Sequence, residues 1–347
     1  MHNVVIVGGG PAGLSAALTA AVAGAPVLLL DSNPRLGGQY WRTPSDNFGD
    51  QHENHFDLAT GLKLINSVKA QPNIQVLSGA QIWSASHKDG VSTLRVIYQG
   101  SEKIINTGNL ILATGAYDRS LPFPGWDIPG VMTPGGVQSL IKGHGVVAGK
   151  RVVVAGSGPF LLPVAAGLVK SGADVVELLE ANKSWRWASS ILVLLENLSK
   201  IKEGFYYIEA ISKGKVRARF SQAVVGAYAG DNGELESVDI AKIDRNFKIK
   251  KVRNIKCDVA AIGWGFTADT SLAGALGCKQ VVAKDESVVV LIDSKQQTSI
   301  TGVFAAGEIT GIGGSELSMI EGEIAGKSAA KFVGCAVDIS RSDQIIR

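Results

Sequence analysis

The 347-residue chain contains only three cysteines, Cys257, Cys278 and Cys335, and they lie far apart in the sequence. No Cys-x-x-Cys pair occurs. This scarcity argues against a disulfide framework, against a redox-active dithiol and against an iron–sulfur cluster held by this chain alone. The cytoplasm, where thiols stay reduced, is the expected location.

The sequence also lacks a secretory signal, because the first predicted strand begins near residue 3. An apolar stretch over residues 14–30 nears the length of a membrane span, but Gly24 and Pro26 interrupt it. The net charge of +3 is too small to indicate a polyanionic partner. His52 and His55 have no third candidate ligand nearby, so no metal site is predicted.

The strongest motif occupies the first forty residues. An apolar strand over residues 4–7 runs into Gly8-x-Gly10-x-x-Gly13, and a helix of small residues follows to about residue 23. The three glycines permit, in order, a tight turn, close approach of a pyrophosphate, and close helix–strand packing. The pattern predicts a dinucleotide site; a glycine-rich turn without a ligand is the alternative.

The next strand, residues 27–30, ends at Asp31, whose carboxylate is placed to accept a hydrogen bond from a ribose hydroxyl. Gly37 and Gly38 follow and again permit close backbone approach. Further along, an apolar strand ends in Ala113-Thr114-Gly115, where small residues let the chain pass close to a cofactor.

A second copy of the motif begins about 148 residues after the first. A strand over residues 151–155 leads into Gly156-Ser157-Gly158-Pro159-Phe160, then a helix and a strand that ends at Glu180. Leu161 replaces the third glycine, which argues against close helix–strand packing there. The copy is interpreted either as a nicotinamide or adenine nucleotide site or as a structural remnant. Glu180 favours NAD over NADP because it would repel a 2′-phosphate, whereas the nearby Lys183 and Arg186 leave room for NADP.

A third glycine-rich segment lies near the C-terminus. A strand over residues 302–306 leads to Gly307-Glu308, and glycines at 311, 313 and 314 precede Ser315 and a predicted helix over 316–333. Glu308 lies where an acidic side chain could hold ribityl hydroxyls. The helix start offers N–H groups and a positive dipole end to a flavin, which would stabilise the reduced anion.

Together these motifs resemble the two-dinucleotide-binding-domain flavoproteins, the glutathione and thioredoxin reductase superfamily. The resemblance covers nearly the whole chain and implies an α/β fold with two Rossmann-like domains, the second inserted in the first. It implies an FAD domain over residues 1–117 and 286–347, and an NAD-binding-like domain over 118–285. The Cys-x-x-Cys pair of thioredoxin reductases and the redox disulfide of glutathione reductases are both missing.

Residues 113–142 and 155–168 are most similar to the flavoprotein subunits of heteromeric amine and amino-acid dehydrogenases. That group includes the corresponding subunits of hydrogen cyanide synthase and opine oxidase, together with D-hydroxyproline dehydrogenase and dye-linked proline dehydrogenase. The resemblance implies FAD, partner subunits, and a cysteine-rich iron–sulfur domain that many relatives carry after the last helix. Since this chain stops at Arg347, any cluster is expected on a different chain.

The predicted cofactor-binding residues follow from these motifs and the resemblance, and no metal ligand is among them. They are Gly8, Gly10, Pro11, Ala12, Gly13, Asp31, Ser32, Arg35, Gly38, Gln39, Arg42, Ile82, Ala113, Thr114, Gly115, Gly307, Glu308, Gly314 and Ser315 for FAD, and Gly156, Gly158, Pro159, Phe160 and Glu180 for NAD or another adenine nucleotide.

Three functions are weighed. The first is an FAD-bearing subunit of a heteromeric dehydrogenase that oxidises an amino acid or secondary amine, in which a partner could oxidise the substrate. The second is a stand-alone NAD(P)H-dependent flavin reductase, and the third a non-enzymatic subunit with a vestigial flavin site. Tyr117, His55, Trp264 and Glu308 are polar or aromatic candidates near the flavin, but no catalytic base is assigned. The apolar side chains of residues 121–135 are the candidate partner surface; packing between the domains is the alternative.

Overall fold

The computed structural model describes residues 3–43, 57–183, 198–244, 246 and 248–338. His52, His55 and Arg186 lie outside them. The described helices are α1 (Pro11–Val22), α2 (Leu58–Ala70), α3 (Pro134–His144), α4 (Leu161–Lys170), α5 (Leu198–Lys213), α6 (Ser271–Leu276) and α7 (Gly314–Phe332). None of them is both long enough and apolar enough to cross a membrane.

The strands in the same part of the chain are short, and most are buried on at least one face. They are β1 (Val4–Val7), β2 (Val27–Asp31), β3 (Ile74–Ser78), β4 (Gln81–Lys88), β5 (Val91–Tyr98), β6 (Ser101–Thr107), β7 (Leu110–Leu112), β8 (Ala116–Asp118), β9 (Val131–Met132), β10 (Arg151–Gly156), β11 (Asp174–Glu180), β12 (Arg217–Phe220), β13 (Gln222–Ala229), β14 (Leu235–Ile243), β15 (Ile249–Lys256), β16 (Val259–Gly263), β17 (Phe266–Ala268), β18 (Gln280–Val282), β19 (Val288–Val290) and β20 (Val303–Ala305).

The chain forms two compact units, and the first combines Met1–Thr43, Asp57–Tyr117 and Thr267–Arg347. Its centre is a five-stranded parallel sheet in the order β20-β7-β1-β2-β3. Strands β1, β7 and β20 are apolar throughout and fully buried, because both faces of the sheet are covered there. The C-terminal ends of the parallel strands lie at one edge, where ligands of such sheets bind.

Alternate residues of β1 enter two different cores. Val4 and Ile6 pack with α1, α2 and α7 on one face of the sheet. Val5 and Val7 pack on the other face with the antiparallel sheet β4-β5-β6 and with α6. The two-residue period of a strand therefore accounts for both layers.

The second unit contains Asp118–Phe266 and repeats this plan. Its parallel sheet has the order β12-β11-β10-β16-β9. Helices α3, α4 and α5 cover one face, and the antiparallel sheet β13-β14-β15 covers the other. The α/β class with two Rossmann-like units is confirmed.

Several local features were not predicted from the sequence. Strands β3 and β4 are separated at Gly79, which adopts a φ of +76°. The helices Leu198–Lys213 and Pro134–His144 were not predicted either.

The return to the first unit also differs in position. Residue 286 was expected, but the first unit takes in the chain from Thr267. The reason is α6 and the residues after it: Ala273, Leu276 and Cys278 are buried in the core that holds Val5.

Candidate functional site

The first glycine turn is closed by backbone contacts that exclude any side chain. A Cβ atom on Gly8 would lie 2.1 Å from the Ala113 carbonyl oxygen, and one on Gly13 would lie 1.8 Å from the Gly8 carbonyl oxygen. Both neighbours are backbone atoms, which cannot move aside. The turn therefore brings β1, α1 and the end of β7 into direct contact, as the motif predicts.

Gly10 has a different environment. Its φ of −81° is accessible to any residue, and a Cβ there would have only the Gly38 Cα within 4 Å, at 3.8 Å. Gly10 is the N-cap of α1 and contributes no side-chain cap, while Pro11 is the first helical residue. The N-terminal N–H groups of α1 thus border open space, which fits a pyrophosphate approaching the helix end.

The second glycine pair packs against the first motif. Gly38 has a φ of +62°, and a Cβ on it would lie 2.8 Å from the Gly10 Cα. Gly38 is therefore needed for contact with the glycine turn itself. Sequence reasoning predicted a close approach here but did not identify Gly10 as the neighbour.

Asp31 at the end of β2 holds this turn together. Its carboxylate accepts hydrogen bonds from the backbone N–H of Gly9 and from the backbone and side-chain N–H groups of Asn33. Burial raises the pKa of Asp31, while these N–H groups and the Arg42 charge act in the opposite direction. A carboxylate oxygen can accept more than one hydrogen bond, so the geometry leaves capacity for a ribose hydroxyl.

The polar residues after Asp31 have partners within the same segment. Arg35 donates to the Thr43 carbonyl oxygen at 3.2 Å, and Arg42 donates to the Gln39 side-chain oxygen at 2.7 Å. Burial lowers the pKa of Arg42, an effect that the Asp31 charge opposes. Ser32 is exposed.

Three other predicted residues have structural surroundings of their own. Ile82 on β4 packs against the face of the sheet opposite α1. The Thr114 hydroxyl donates to the Asp269 carbonyl oxygen at 2.6 Å. Gly115 adopts a φ of +76° with no atom near its Cβ position. Within residues 113–115, Ala113 therefore lies in close contact with the glycine turn, whereas the space beside Gly115 is open.

The third glycine-rich segment lies against the first. A Cβ on Gly307 would be 2.8 Å from the Ala12 Cβ, and the backbone N–H of Ala306 donates to the Leu112 carbonyl oxygen. Glu308 is partly buried, and burial raises its pKa, which a hydrogen bond from the Gly314 N–H lowers. The structure thus brings the glycine turn at residues 8–13, the segment 113–115 and the segment that begins at Gly307 to one place.

The helix that begins at Gly314 contains an acid that sequence reasoning missed. Ser315 is buried at its start, and Glu321 is buried further along with 8% of its surface exposed. The sequence did contain an indication that this acid is buried, because Glu321 lies on the apolar face of α7, one turn before the buried Ile324 and Ala325. Its carboxyl group accepts a hydrogen bond from the backbone N–H of Gly307.

The second glycine turn, in the second unit, has the same closed geometry. A Cβ on Gly156 would lie 1.6 Å from the Gly263 carbonyl oxygen, whereas Gly158 has no atom near its Cβ position.

Leu161 is 2% exposed and belongs to the core under α4. The side chain of Leu161 therefore fills the helix–sheet core at the position of the third glycine. Phe160 forms an edge-to-face contact with Phe266 at 4.8 Å between ring centroids.

Glu180 repeats the role of Asp31. Its carboxylate accepts from the Gly158 N–H at 2.9 Å and from the backbone and side-chain N–H groups of Asn182, each at 2.9 Å. An acid followed two residues later by asparagine therefore closes both glycine turns. The repeated acid and asparagine are visible in the sequence, but their shared contact with the turn is not.

A cavity of about 40 Å³ lies beside Glu180, space for a few water molecules. Its walls are mostly apolar and include Phe220 and Arg219. The Arg219 guanidinium donates to Glu177 at 3.0 Å. The open position at Gly158 and the acid at the end of β11 fit a dinucleotide at this turn.

A sequence profile of the pyridine nucleotide-disulphide oxidoreductases matches residues 2–324. The chain belongs to this family. FAD is the family's cofactor, often together with NAD(P). Among the described residues, no cluster of three potential metal ligands occurs.

Curated relatives of this family member are subunits of larger enzymes. The HcnB subunit of hydrogen cyanide synthase from Pseudomonas protegens is 31% identical over 94% of the chain and 70% of its own length. An opine oxidase subunit from Agrobacterium tumefaciens is 29% identical over 94% of the chain and 65% of its own length. The chain therefore spans about two thirds of the second relative.

Two solved structures share the fold. L-proline dehydrogenase from P. horikoshii matches with a TM-score of 0.70 and 18% identity, over 99% of the chain and 58% of that protein. Lactococcus lactis thioredoxin reductase matches with a TM-score of 0.69 and 19% identity, over 96% of the chain and 99% of that protein.

The apolar stretch 121–135 is partly buried, and two of its apolar side chains are exposed. Phe123, Ile128 and Val131 pack against the core under β13–β15, and Met132 packs against the core on the opposite face. Leu121 and Trp126 are exposed, at 49% and 50%. Part of the stretch thus packs within the second unit, and its role as a partner surface stays a prediction.

Proposed function

We propose that this chain is the FAD-binding subunit of a heteromeric dehydrogenase that oxidises an amino acid or a secondary amine. The support is similarity over most of the chain to subunits of hydrogen cyanide synthase and opine oxidase, and to the alpha subunit of sarcosine oxidase. The proposal of a flavin site rests on the first unit, in which the glycine turn at residues 8–13 contacts both Gly38 and Gly307.

FAD supplies two-electron chemistry, because it accepts the equivalent of a hydride and passes the electrons onward. In this proposal the N-terminus of α1 at Gly10 binds the pyrophosphate, and Asp31 accepts from the adenosine ribose. Glu308 holds the ribityl chain. The start of α7 at Gly314 directs N–H groups and a positive dipole end toward the flavin. The free cysteines Cys257 and Cys278 are consistent with a cytoplasmic enzyme.

A stand-alone NAD(P)H-dependent flavin reductase is the second candidate. The observation in its favour is the intact second turn, in which Glu180 accepts from the Gly158 N–H. This arrangement favours NAD or another adenine nucleotide without a 2′-phosphate. The similarity to enzyme subunits over most of the chain favours the dehydrogenase component over the reductase.

The deciding experiment compares the chain alone with its native complex. A tagged chain is purified from its source under native conditions, and the same chain is produced alone. Both are assayed for FAD content and for oxidation of proline, hydroxyproline, glycine, sarcosine and opines with an artificial dye. The chain alone should hold FAD with little activity, and the complex should oxidise one of these substrates.

Two results would contradict the proposal. Turnover of an amino acid by the isolated chain, at the rate of any complex, would make it a complete enzyme. Rapid flavin reduction by NADH in the isolated chain, with no amine oxidation in any complex, would favour the flavin reductase.

A further inference from the structure

Glu321 is a buried carboxyl group for which the proposed function has no role. Its side chain is on α7, and one of its oxygens lies 2.7 Å from the backbone nitrogen of Gly307 and 2.8 Å from the Thr310 hydroxyl oxygen. No described lysine, arginine or histidine forms an ion pair with it. Burial raises its pKa, while the hydrogen bonds from Thr310 and Gly307 lower it. A buried carboxyl group is costly unless such partners compensate.

Both partners of Glu321 belong to one turn, Gly307–Thr310. The Thr310 backbone N–H donates to the Gly307 carbonyl oxygen at 2.9 Å. The Thr310 hydroxyl oxygen also lies 2.8 Å from that carbonyl oxygen. The carboxyl group therefore connects to both ends of a four-residue turn that is already closed on itself.

The turn can be held in either protonation state of Glu321. When Glu321 is ionised, it accepts from the Gly307 N–H and from the Thr310 hydroxyl. When it is protonated, its O–H donates to Thr310, whose own hydroxyl proton turns to the Gly307 carbonyl oxygen. Rotation of one hydroxyl group is the only change required. Glutamine reproduces the first pattern, because its amide oxygen can take the place of the one carboxylate oxygen that accepts from both partners.

This turn lies where the first and last motifs meet. Gly307 adopts a φ of +83° and approaches Ala12 of α1. The residue after Glu321, Gly322, packs so closely on α1 that a Cβ would lie 2.1 Å from the Ala12 carbonyl oxygen. Glu308, which follows Gly307, interacts with the Gly314 N–H at the start of α7. Glu321 thus connects α7 to the backbone that carries Glu308.

We propose that Glu321 is a positioning residue for FAD: it fixes the Gly307–Thr310 turn so that Glu308 and the start of α7 keep the arrangement that binds the flavin. This inference rests on the proposed flavin site. Glu321 acts through the turn and does not itself touch the cofactor.

The test compares three variants on one helix as apoproteins. FAD affinity is measured by quenching of flavin fluorescence, and thermal unfolding of the apoprotein is recorded in parallel. Glu321→Ala leaves the Gly307 N–H without its partner and should weaken FAD binding about tenfold or more. Glu321→Gln should stay within about threefold of wild type, because it keeps both hydrogen bonds. Glu323→Ala is the matched control, since Glu323 is exposed and pairs with Lys327.

If Glu321→Ala does not fold, variants of Thr310 test the positioning role instead. Thr310→Val keeps the shape and removes the hydroxyl group, and it should weaken FAD binding, whereas Thr310→Ser should restore wild-type affinity. Equal affinity of wild type, Glu321→Ala and Thr310→Val would overturn the positioning role, as would a Glu321→Gln variant as weak as Glu321→Ala. Failure of the wild-type apoprotein to bind FAD would instead refute the flavin site.

Discussion

Replacement of Gly10 by alanine should separate cofactor binding from folding. The backbone at Gly10 has a φ of −81°, and the new Cβ would lie 3.8 Å from the Gly38 Cα, an ordinary van der Waals distance. The folding cost is then mainly the poorer N-cap preference of alanine, about 1 kcal/mol. In a protein of this size that corresponds to a fall in apoprotein Tm of roughly 1–2 °C.

The effect on FAD should be far larger. The Cβ of the variant projects into the open space at the N-terminus of α1, where the proposal puts the pyrophosphate. Hydrogen bonds to a charged group contribute about 1.5–3 kcal/mol each. Loss of two of them would weaken binding by at least about 100-fold. Gly10→Val should have a still larger effect and yield apoprotein.

Two further glycine-to-alanine variants serve as controls, one for loss of stability and one for a substitution without effect on FAD binding. Gly13→Ala puts a Cβ 1.8 Å from the Gly8 carbonyl oxygen, so it should lower the apoprotein Tm sharply through overpacking. Gly167→Ala in α4 has no atom near its Cβ position and should not affect FAD binding. Apoprotein Tm and FAD affinity are measured for all three variants. A stable Gly10→Ala protein with wild-type FAD affinity would refute the placement of the pyrophosphate at α1.

Three other outcomes are expected. Burial raises the pKa of Cys257 to about 12, so this thiol should resist alkylation in the native protein at about pH 8 and react only after unfolding. Replacing all three cysteines should leave the rate of flavin reduction by the physiological donor within a few-fold of wild type. A tenfold loss in a folded variant would disprove this. A nucleotide bound at the second turn should lack a 2′-phosphate because of Glu180, a prediction that tighter binding of NADPH than of NADH in calorimetry would contradict. Because the folded-state pKa of Glu308 is raised, its contribution to apoprotein stability is greatest below the ordinary glutamate pKa and falls as the pH rises through the raised value. Glu308→Gln should therefore stabilise the apoprotein at about pH 7, and this gain should disappear near about pH 4 in urea denaturation; a larger gain at low pH would reverse the argument.

The sequence by itself determined the two β–glycine turn–α–β units. Their signals are local: an apolar strand, glycines at fixed spacing and an acid at the end of the next strand. The helix predicted from Pro11 ends at Val22, one residue before the predicted end, and the strand after it ends at Asp31 as expected. Because steric demands within some thirty residues fix these features, no distant contact was needed to predict them.

Only the tertiary structure decided which distant residues complete each site. Glu321 reaches Gly307 across a turn and part of a helix, and a lone glutamate in a helical pattern does not reveal its partners. Leu161 replaces a glycine, and its side chain is buried in the core around α4. The apolar residues around Phe123 could equally have formed a partner surface. Burial depends on which elements pack against a segment, and only the folded chain specifies that.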